Sequence, residues 1–233
     1  MDIVYTLSKN YNSEELRYSL RSLENLPHDR VFVVGGCPRW LKNVIHIPTE
    51  QAGTKYKNTT ANIKIVCNDD RVSANFIYMN DDFFILEPIK SPTKELNLYN
   101  DKVSAVLDKL GKHNTAPTPY MRGMRETAEL VKSLGIVEPL SYELHIPFIF
   151  NKKKFLKMLE LDGINKINCL HKRSLYGNLY LKGGNTQRDV KTFLNEGFAP
   201  KKTGKFLSCD DGGFFGLHYF LFNKFPNKCK YEI

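Results

Sequence analysis

Two acidic pairs stand out along the chain, each at the end of an apolar run. The first is Phe76-Ile77-Tyr78-Met79-Asn80-Asp81-Asp82, which turns apolar again at Phe83-Phe84-Ile85-Leu86. The second is Phe206-Leu207-Ser208-Cys209-Asp210-Asp211, followed by Gly212-Gly213. Adjacent carboxylates between apolar runs are costly to bury without a partner. At a strand end they gain a use, because ligands of open α/β sheets sit outside the carboxyl ends of the strands. Carboxylates there suit a hard divalent cation, Mg2+ or Mn2+, and that cation suits a diphosphate. Side chains alternate along extended chain, so Asn80 and Asp82 are expected to share a face, with Asp81 pointing away. That makes Asp82 the first metal ligand and Asp81 a ribose or outer-shell partner. Asp210 and Asp211 are expected to complete the site, Asp210 at the metal and Asp211 in catalysis. The double glycine after them would let backbone approach a ligand. The competing reading is a plain turn, for which Asp-Gly is a strong signal.

The elements that must position these groups are legible in order. Ile3 to Leu7 reads as a strand. Asn12 or Ser13 caps a helix carrying Leu16, Leu20, Leu23 and Leu26, which Pro27 ends. Val31 to Val34 is a second buried strand, and Val44 to Ile47 a short third one. A helix follows to about Asn68, then the strand into the first acidic pair. Two helical pieces separated by Pro117 and Pro119 span residues 101 to 137, with Gly135 as the cap of the second. Leu144 to Phe150 reads as a strand, Lys152 to Leu161 as a helix, and the tail as a closing helix rich in Phe and Tyr. Strand, helix and strand within forty residues is the pattern of a βαβ unit. The expected fold is α/β, with a Rossmann-like mixed sheet flanked by helices and a helical sub-lobe.

The chain has 233 residues, 42% of them hydrophobic and 25% charged. That length supports one catalytic domain over residues 1–233. Its parts are a donor-binding half (1–100), a helical insertion (101–140) and an acceptor and catalytic half (141–233). No apolar run is long enough for a membrane span. The start Met1-Asp2-Ile3-Val4-Tyr5 lacks the basic head and apolar segment of a secretion signal. Five scattered cysteines with no Cys-x-x-Cys argue against a zinc cluster or disulfide framework and point to a reducing cytoplasm. A glycine-rich dinucleotide fingerprint and a P-loop are both missing. The net charge of +9 favours an anionic partner. Its clusters are Lys152-Lys153-Lys154, His171-Lys172-Arg173 and Lys201-Lys202.

Read together, these motifs resemble the Stealth family, sugar-1-phosphate transferases of microbial capsules and of lysosomal glycoprotein marking. Asp2-Ile3-Val4-Tyr5-Thr6 resembles its first block. Glu15 to Leu23, Pro38-Arg39-Trp40-Leu41 and Phe76 to Phe84 resemble its second. His145-Ile146-Pro147 with Arg173 resembles the third, and Phe206 to Asp211 the fourth. Two features depart from the pattern: Leu7-Ser8-Lys9-Asn10 replaces the family's Trp and acidic turn, and the chain is short. The resemblance implies a GT-A-like glycosyltransferase core, a nucleotide-diphosphate-sugar donor and a divalent metal. It implies metal binding at Asp82, acid–base work at His145 and phosphate contact at Arg173. Asn58 and Thr59 fall where the family's donor-side polar loop lies. Arg17 and Arg21, one helical turn apart, face either donor phosphate or solvent, and one of the two is expected to be structural.

The expected activity is metal-dependent transfer of a sugar, or a sugar-1-phosphate, to a hydroxyl. The usual family acceptor is a glycan. The basic balance makes a modified base in DNA a second acceptor, one that would be flipped out of the duplex to react. A different class of function, a non-catalytic basic nucleic-acid-binding module, competes on charge and aromatic content alone.

Overall fold

The computed structural model describes residues 1–8, 14–114, 116–193 and 204–233. Its elements, in order, are β1 (Asp2–Leu7), α1 (Glu15–Ser22), a 3-10 turn (Leu23–Asn25), β2 (Val31–Gly35), β3 (Ile45–Ile47) and α2 (Lys55–Asn68). Then come β4 (Asn75–Met79), β5 (Phe83–Ile85), α3 (Pro92–Glu95), β6 (Leu98–Tyr99), α4 (Val103–Gly111) and α5 (Pro119–Ser133). The rest are β7 (Phe148–Asn151), α6 (Lys152–Leu159), a 3-10 turn (Ile164–Lys166), α7 (Lys172–Tyr180), β8 (Asn185–Thr186), β9 (Lys191–Thr192), β10 (Phe206–Cys209) and α8 (Asp211–Lys224). The Asn12 or Ser13 cap and the Lys201-Lys202 cluster lie outside the described residues.

The main sheet runs β3-β2-β1-β4-β7, parallel except for β7, which pairs antiparallel with β4. Its central strands are buried on both faces, which is why they read as unbroken apolar runs rather than alternating ones. Ile3, Val4 and Tyr5 are all fully buried. Alternate residues feed two cores. Ile3, Tyr5, Val31, Val33, Ile77 and Met79 join Leu16, Leu20 and Leu23 of the α1 side. Val4, Phe32, Val34, Phe76 and Tyr78 join Ile63 and Val66 of α2, Phe155 of α6 and Leu175 of α7. A small second sheet orders β5-β10-β9, with β10 antiparallel to β5 and parallel to β9. Strands β6 and β8 form a third, two-stranded piece. This is the α/β fold with a mixed sheet and flanking helices that the sequence predicts.

After β1 the chain adds β2 and β3 on one side, then returns to place β4 on the other. The gap between β1 and β4 is therefore the switch point where an open sheet leaves a crevice. The helical lobe packs α4 against α5 through Val103, Val106, Met124 and Ala128. Pro119 opens α5 at its first turn, where no N–H is needed, and Thr118 caps it by accepting from the Met121 N–H at 3.2 Å. Gly135 ends it at φ +89°, as its position predicted.

Two boundaries differ from the expectation. The strand expected from Leu144 starts only at Phe148. Pro147 has no N–H to give a ladder, and His145 and Ile146 form a bend before the strand. The second acidic pair does not enter a turn: α8 begins at Asp211. Gly212 and Gly213 lie inside that helix, and a Cβ at Gly213 would run into the Thr192 carbonyl of β9. The close approach they permit is to the protein's own backbone rather than to a ligand.

Candidate active site

A cleft of about 420 Å³ opens at the carboxyl ends of β1 and β4. From the sheet come Thr6, Tyr78, Asn80 and Asp81; from the first turns of α2 come Lys55, Tyr56 and Thr59. The bend before β7 supplies Glu143, Leu144 and His145. The start of α7 supplies His171, Lys172 and Arg173, with Cys169 and Leu170 before it and Tyr120 from α5. Tyr78 ties the two strand ends together, its hydroxyl lying 3.1 Å from Thr6 Oγ1.

The cationic end is built by helix starts. Residues of the first turns of both α2 and α7 line the cleft, and the partial positive charge at a helix start favours an anion. Lys55, Lys172 and Arg173 add full charges. Arg173 is buried beneath the cleft, bonded through Nη1 to the Leu144 carbonyl. Its guanidinium lies 5.2 Å from the Tyr78 ring centre and 5.1 Å from that of Phe83. Burial lowers the Lys172 ammonium below its ordinary value against the pull of Glu143. Burial raises Glu143, but His171, Arg173 and Lys172 outweigh it, and the carboxyl ends below its ordinary range. Glu143 accepts from the Ser174 N–H at 3.0 Å. His171, 2% exposed, sets its Nε2 3.0 Å from the Tyr120 carbonyl and is held toward the neutral form by burial. Gly123 lets α5 come this close, since a Cβ there would meet the Cys169 carbonyl.

The acid–base end holds His145. Its Nδ1 lies 2.8 and 3.0 Å from the two carboxylate oxygens of Asp189, and its backbone N–H donates to Asp189 Oδ1 at 3.1 Å. The Phe83 ring stands edge-on to the imidazole at 6.3 Å.

The structure thus brings Asp81, His145, Arg173 and Thr59 of the expected residues to one cleft. Thr59 also donates its hydroxyl to the Lys55 carbonyl at 2.6 Å. The others lie elsewhere. Strand β4 stops at Met79, and residues 81–82 form a turn in which the Phe83 N–H donates to the Asn80 carbonyl at 3.3 Å. Strand alternation therefore does not extend to the acidic pair: Asn80 and Asp81 line the cleft together. Asp82 turns instead toward Lys191 Nζ at 3.3 Å and Ser208 Oγ at 3.2 Å, and its Oδ1 is buried with no hydrogen bond among the described residues. Asp210 caps α8 by accepting from the Gly213 N–H at 2.7 Å, and Asp211 is exposed in the first turn. Asn58 makes a paired contact with the backbone of Gly53.

Arg17 and Arg21 face neither phosphate nor open solvent. Both grip Glu232, whose side chain is fully buried, and Arg17 also stacks 3.9 Å over Trp40. Burial would raise the Glu232 carboxyl, but its hydrogen bonds, that from Arg21 foremost, hold it down at about 2. The basic clusters disperse too. Lys152 donates to the carbonyls of Asp69 and Val72, while Lys172 and Arg173 belong to the cleft. The sequence reading missed Asp189, Glu143 as a cleft group and Lys55. Asp189 carried no signal, because only the fold brings it to His145 from 44 positions away.

No protein-family model matches the chain, and no curated protein matches it in sequence. Among solved structures, it is similar to the galactosyltransferase LgtC in complex with donor and acceptor sugar analogs. That likeness has a TM-score of 0.53 and 13% identity, over 99% of this chain and 98% of that one. An active-site variant of LgtC gives a TM-score of 0.51 at 12% identity, with the same coverage. The architecture is that of the GT-A glycosyltransferases, with the cleft at the switch point of the sheet. No helix among the described residues is long and apolar enough to cross a membrane.

Proposed function

We propose that this protein is a transferase moving a sugar, or a sugar-1-phosphate, from a nucleotide-diphosphate-sugar donor to a sugar hydroxyl. One observation carries the reading. Asp81 comes from one Stealth-like block and His145 and Arg173 from another, more than ninety residues apart at their limits, and all three line a single cleft. That is where the β1–β4 switch point of a GT-A-type sheet leaves room for a ligand. LgtC, whose fold is similar, holds donor and acceptor sugar analogs.

The roles follow from the geometry. Lys55, Lys172, Arg173 and the starts of α2 and α7 seat the diphosphate and neutralise charge on the departing oxygens. Arg173 is suited to this because its planar donors match phosphate oxygens in pairs. His145 takes the proton of the acceptor hydroxyl as the new bond forms. Glu143 is an acceptor for hydroxyls of the bound sugar.

A divalent cation, Mg2+ or Mn2+, fits this cleft in one form. The described residues contain no group of three metal-ligating side chains. Among them, a cation held wholly by protein side chains does not fit. One held by Asp81 and completed by diphosphate oxygens and water does, which is the usual habit of Mg2+. When bound, it would further neutralise the leaving diphosphate. Asp81 lines the cleft while Asp82 turns away toward Lys191, so Asp81 is the better placed ligand of the pair.

The test is calorimetric binding of UDP-, GDP- and ADP-sugars with and without Mn2+ or Mg2+, followed by donor hydrolysis. A donor should bind the wild type and lose most of its affinity in Arg173→Ala. Binding that Arg173→Ala leaves unchanged, or no donor binding at all, would overturn the reading.

A further inference from the structure

His145 does not reach the cleft alone. Asp189 lies in the segment just before β9, and its carboxylate meets the histidine at two levels. Oδ1 accepts from the His145 backbone N–H at 3.1 Å and lies 3.0 Å from the ring Nδ1; Oδ2 lies 2.8 Å from Nδ1. Oδ1 also accepts from the Val190 N–H at 2.9 Å. The next residue, Val190, is buried in the same core cluster as Leu144, Ile146 and Phe83. The carboxylate is thus fixed relative to the bend that carries the imidazole.

From this geometry we propose that Asp189 is the positioning residue of His145, holding its ring in the tautomer that presents a bare Nε2 to the cleft. The proposal rests on the reading of His145 as the acid–base group. An ionised carboxylate only accepts hydrogen bonds, so Nδ1 must carry a proton to meet it. In the neutral ring Nε2 is then the lone-pair nitrogen, and it has no partner among the described residues. Asp189 is in the right state for this. Burial would raise its carboxyl, but the bonds from His145 and the backbone of Val190 leave it below the ordinary range. The edge of Phe83 limits the ring on another side. During transfer, the acceptor oxygen gives its proton to Nε2 as it bonds to the transferred group. The bond to the leaving nucleotide breaks, and its electron pair departs with the nucleotide's oxygen: the nucleoside diphosphate leaves when a sugar moves, the nucleoside monophosphate when a sugar-1-phosphate moves. The imidazolium so formed faces the carboxylate, which stabilises it without taking the proton. His171 offers the contrast within the same cleft. Its Nε2 faces a carbonyl and must carry the hydrogen, and its Nδ1 is closed off from solvent. Nothing there holds a bare nitrogen toward a ligand.

The experiment reads the ring directly. In wild-type protein labelled with 15N-histidine, the His145 signals are assigned by their loss in His145→Gln, and in the neutral ring they should report Nδ1–H with bare Nε2. In Asp189→Asn the hydrogen-bonded Nδ1–H signal should be lost and the tautomer balance should shift. Turnover with the donor found by calorimetry should fall by about 10²- to 10⁴-fold at nearly constant KM. Asp189→Glu, which keeps the charge, should recover part of it. A wild-type ring in the Nε2–H form, or an unaltered ring in a folded Asp189→Asn, overturns the proposal. So does turnover lost in His145→Gln but kept in Asp189→Asn. Turnover kept in His145→Gln removes the acid–base reading itself, and the role of Asp189 with it.

Discussion

Two stretches of this chain look alike as sequence and do different work. Phe76 to Asp82 and Phe206 to Asp211 each run from an apolar strand into a pair of carboxylates. After β4 the chain makes a turn, and Asp81 faces the cleft between β1 and β4. After β10 the chain starts α8 at once, so Asp210 is spent on the helix's own N–H groups and Asp211 sits exposed in its first turn. What differs is the next element. The turn sets Asp81 against the cleft, whereas a helix start claims the first carboxylate for capping. An acidic pair at a strand end is therefore ambiguous until the element after it is known.

The largest expected contrast is in activity. Asp81→Ala should lower transfer by about 10²-fold or more, the scale on which one charge-stabilising contact acts. Asp210→Ala should leave the turnover of folded protein close to wild type. Parallel assays of the two variants at saturating donor and Mn2+ check this. Equal losses would erase the distinction between the two strand ends.

Within the first pair, Asp82 sharpens the comparison. Its carboxylate and Lys191 are mostly buried, at 13% and 20% side-chain exposure, and 3.3 Å apart. Removing one partner leaves the other charge poorly solvated. Asp82→Asn should cost about 1–3 kcal/mol in chemical denaturation, below the range for fully buried pairs because this one is partly open. Donor affinity should change less than in Asp81→Ala. A larger loss of donor affinity at Asp82 than at Asp81 would hand the ligand role back to the residue that strand alternation favours.

The sheet was legible because its strands are buried on both faces, so β1, β2 and β4 read as unbroken apolar runs. The ends of α5 were legible for local reasons: Pro119 fits a first turn, and Gly135 takes the left-handed conformation. The resemblance to known motifs pointed at His145 and Arg173, and the fold delivers both to one cleft. What stayed hidden depends on contacts distant in sequence. Arg17 and Arg21 look like phosphate binders until Glu232, more than two hundred residues on, is seen buried between them. Asp189 looks like any loop acid. The alternation that ranks Asp82 above Asp81 does not reach them, because β4 ends at Met79.

The second pair predicts effects on stability alone. Asp210 accepts from the Gly213 N–H at 2.7 Å in extended backbone, φ −94° and ψ 176°, the geometry of an N-cap. Asp210→Ala should cost about 1 kcal/mol. In a domain of this size that is a drop in Tm of about 2–4 °C. Asp210→Ser or Asp210→Asn should recover most of it, since either can cap. A cap that only aspartate can supply would point to a charge requirement, and so to a ligand.

Asp211→Asn should have the smallest effect. Its carboxylate is exposed and favours the helix only through the partial positive charge at the start of α8. The expected loss is about 0.3–1 kcal/mol at low ionic strength. It should shrink in about 1 M salt, where the screening length falls to about 3 Å. The Asp210→Ala loss should survive there, because a hydrogen bond at 2.7 Å is not screened as a distant charge is. Melting both variants at low and high salt separates the two contributions. If Asp211→Asn instead proves as damaging to transfer as Asp81→Ala, α8 must carry its first carboxylate into a site with the donor, and the two strand ends would be alike after all.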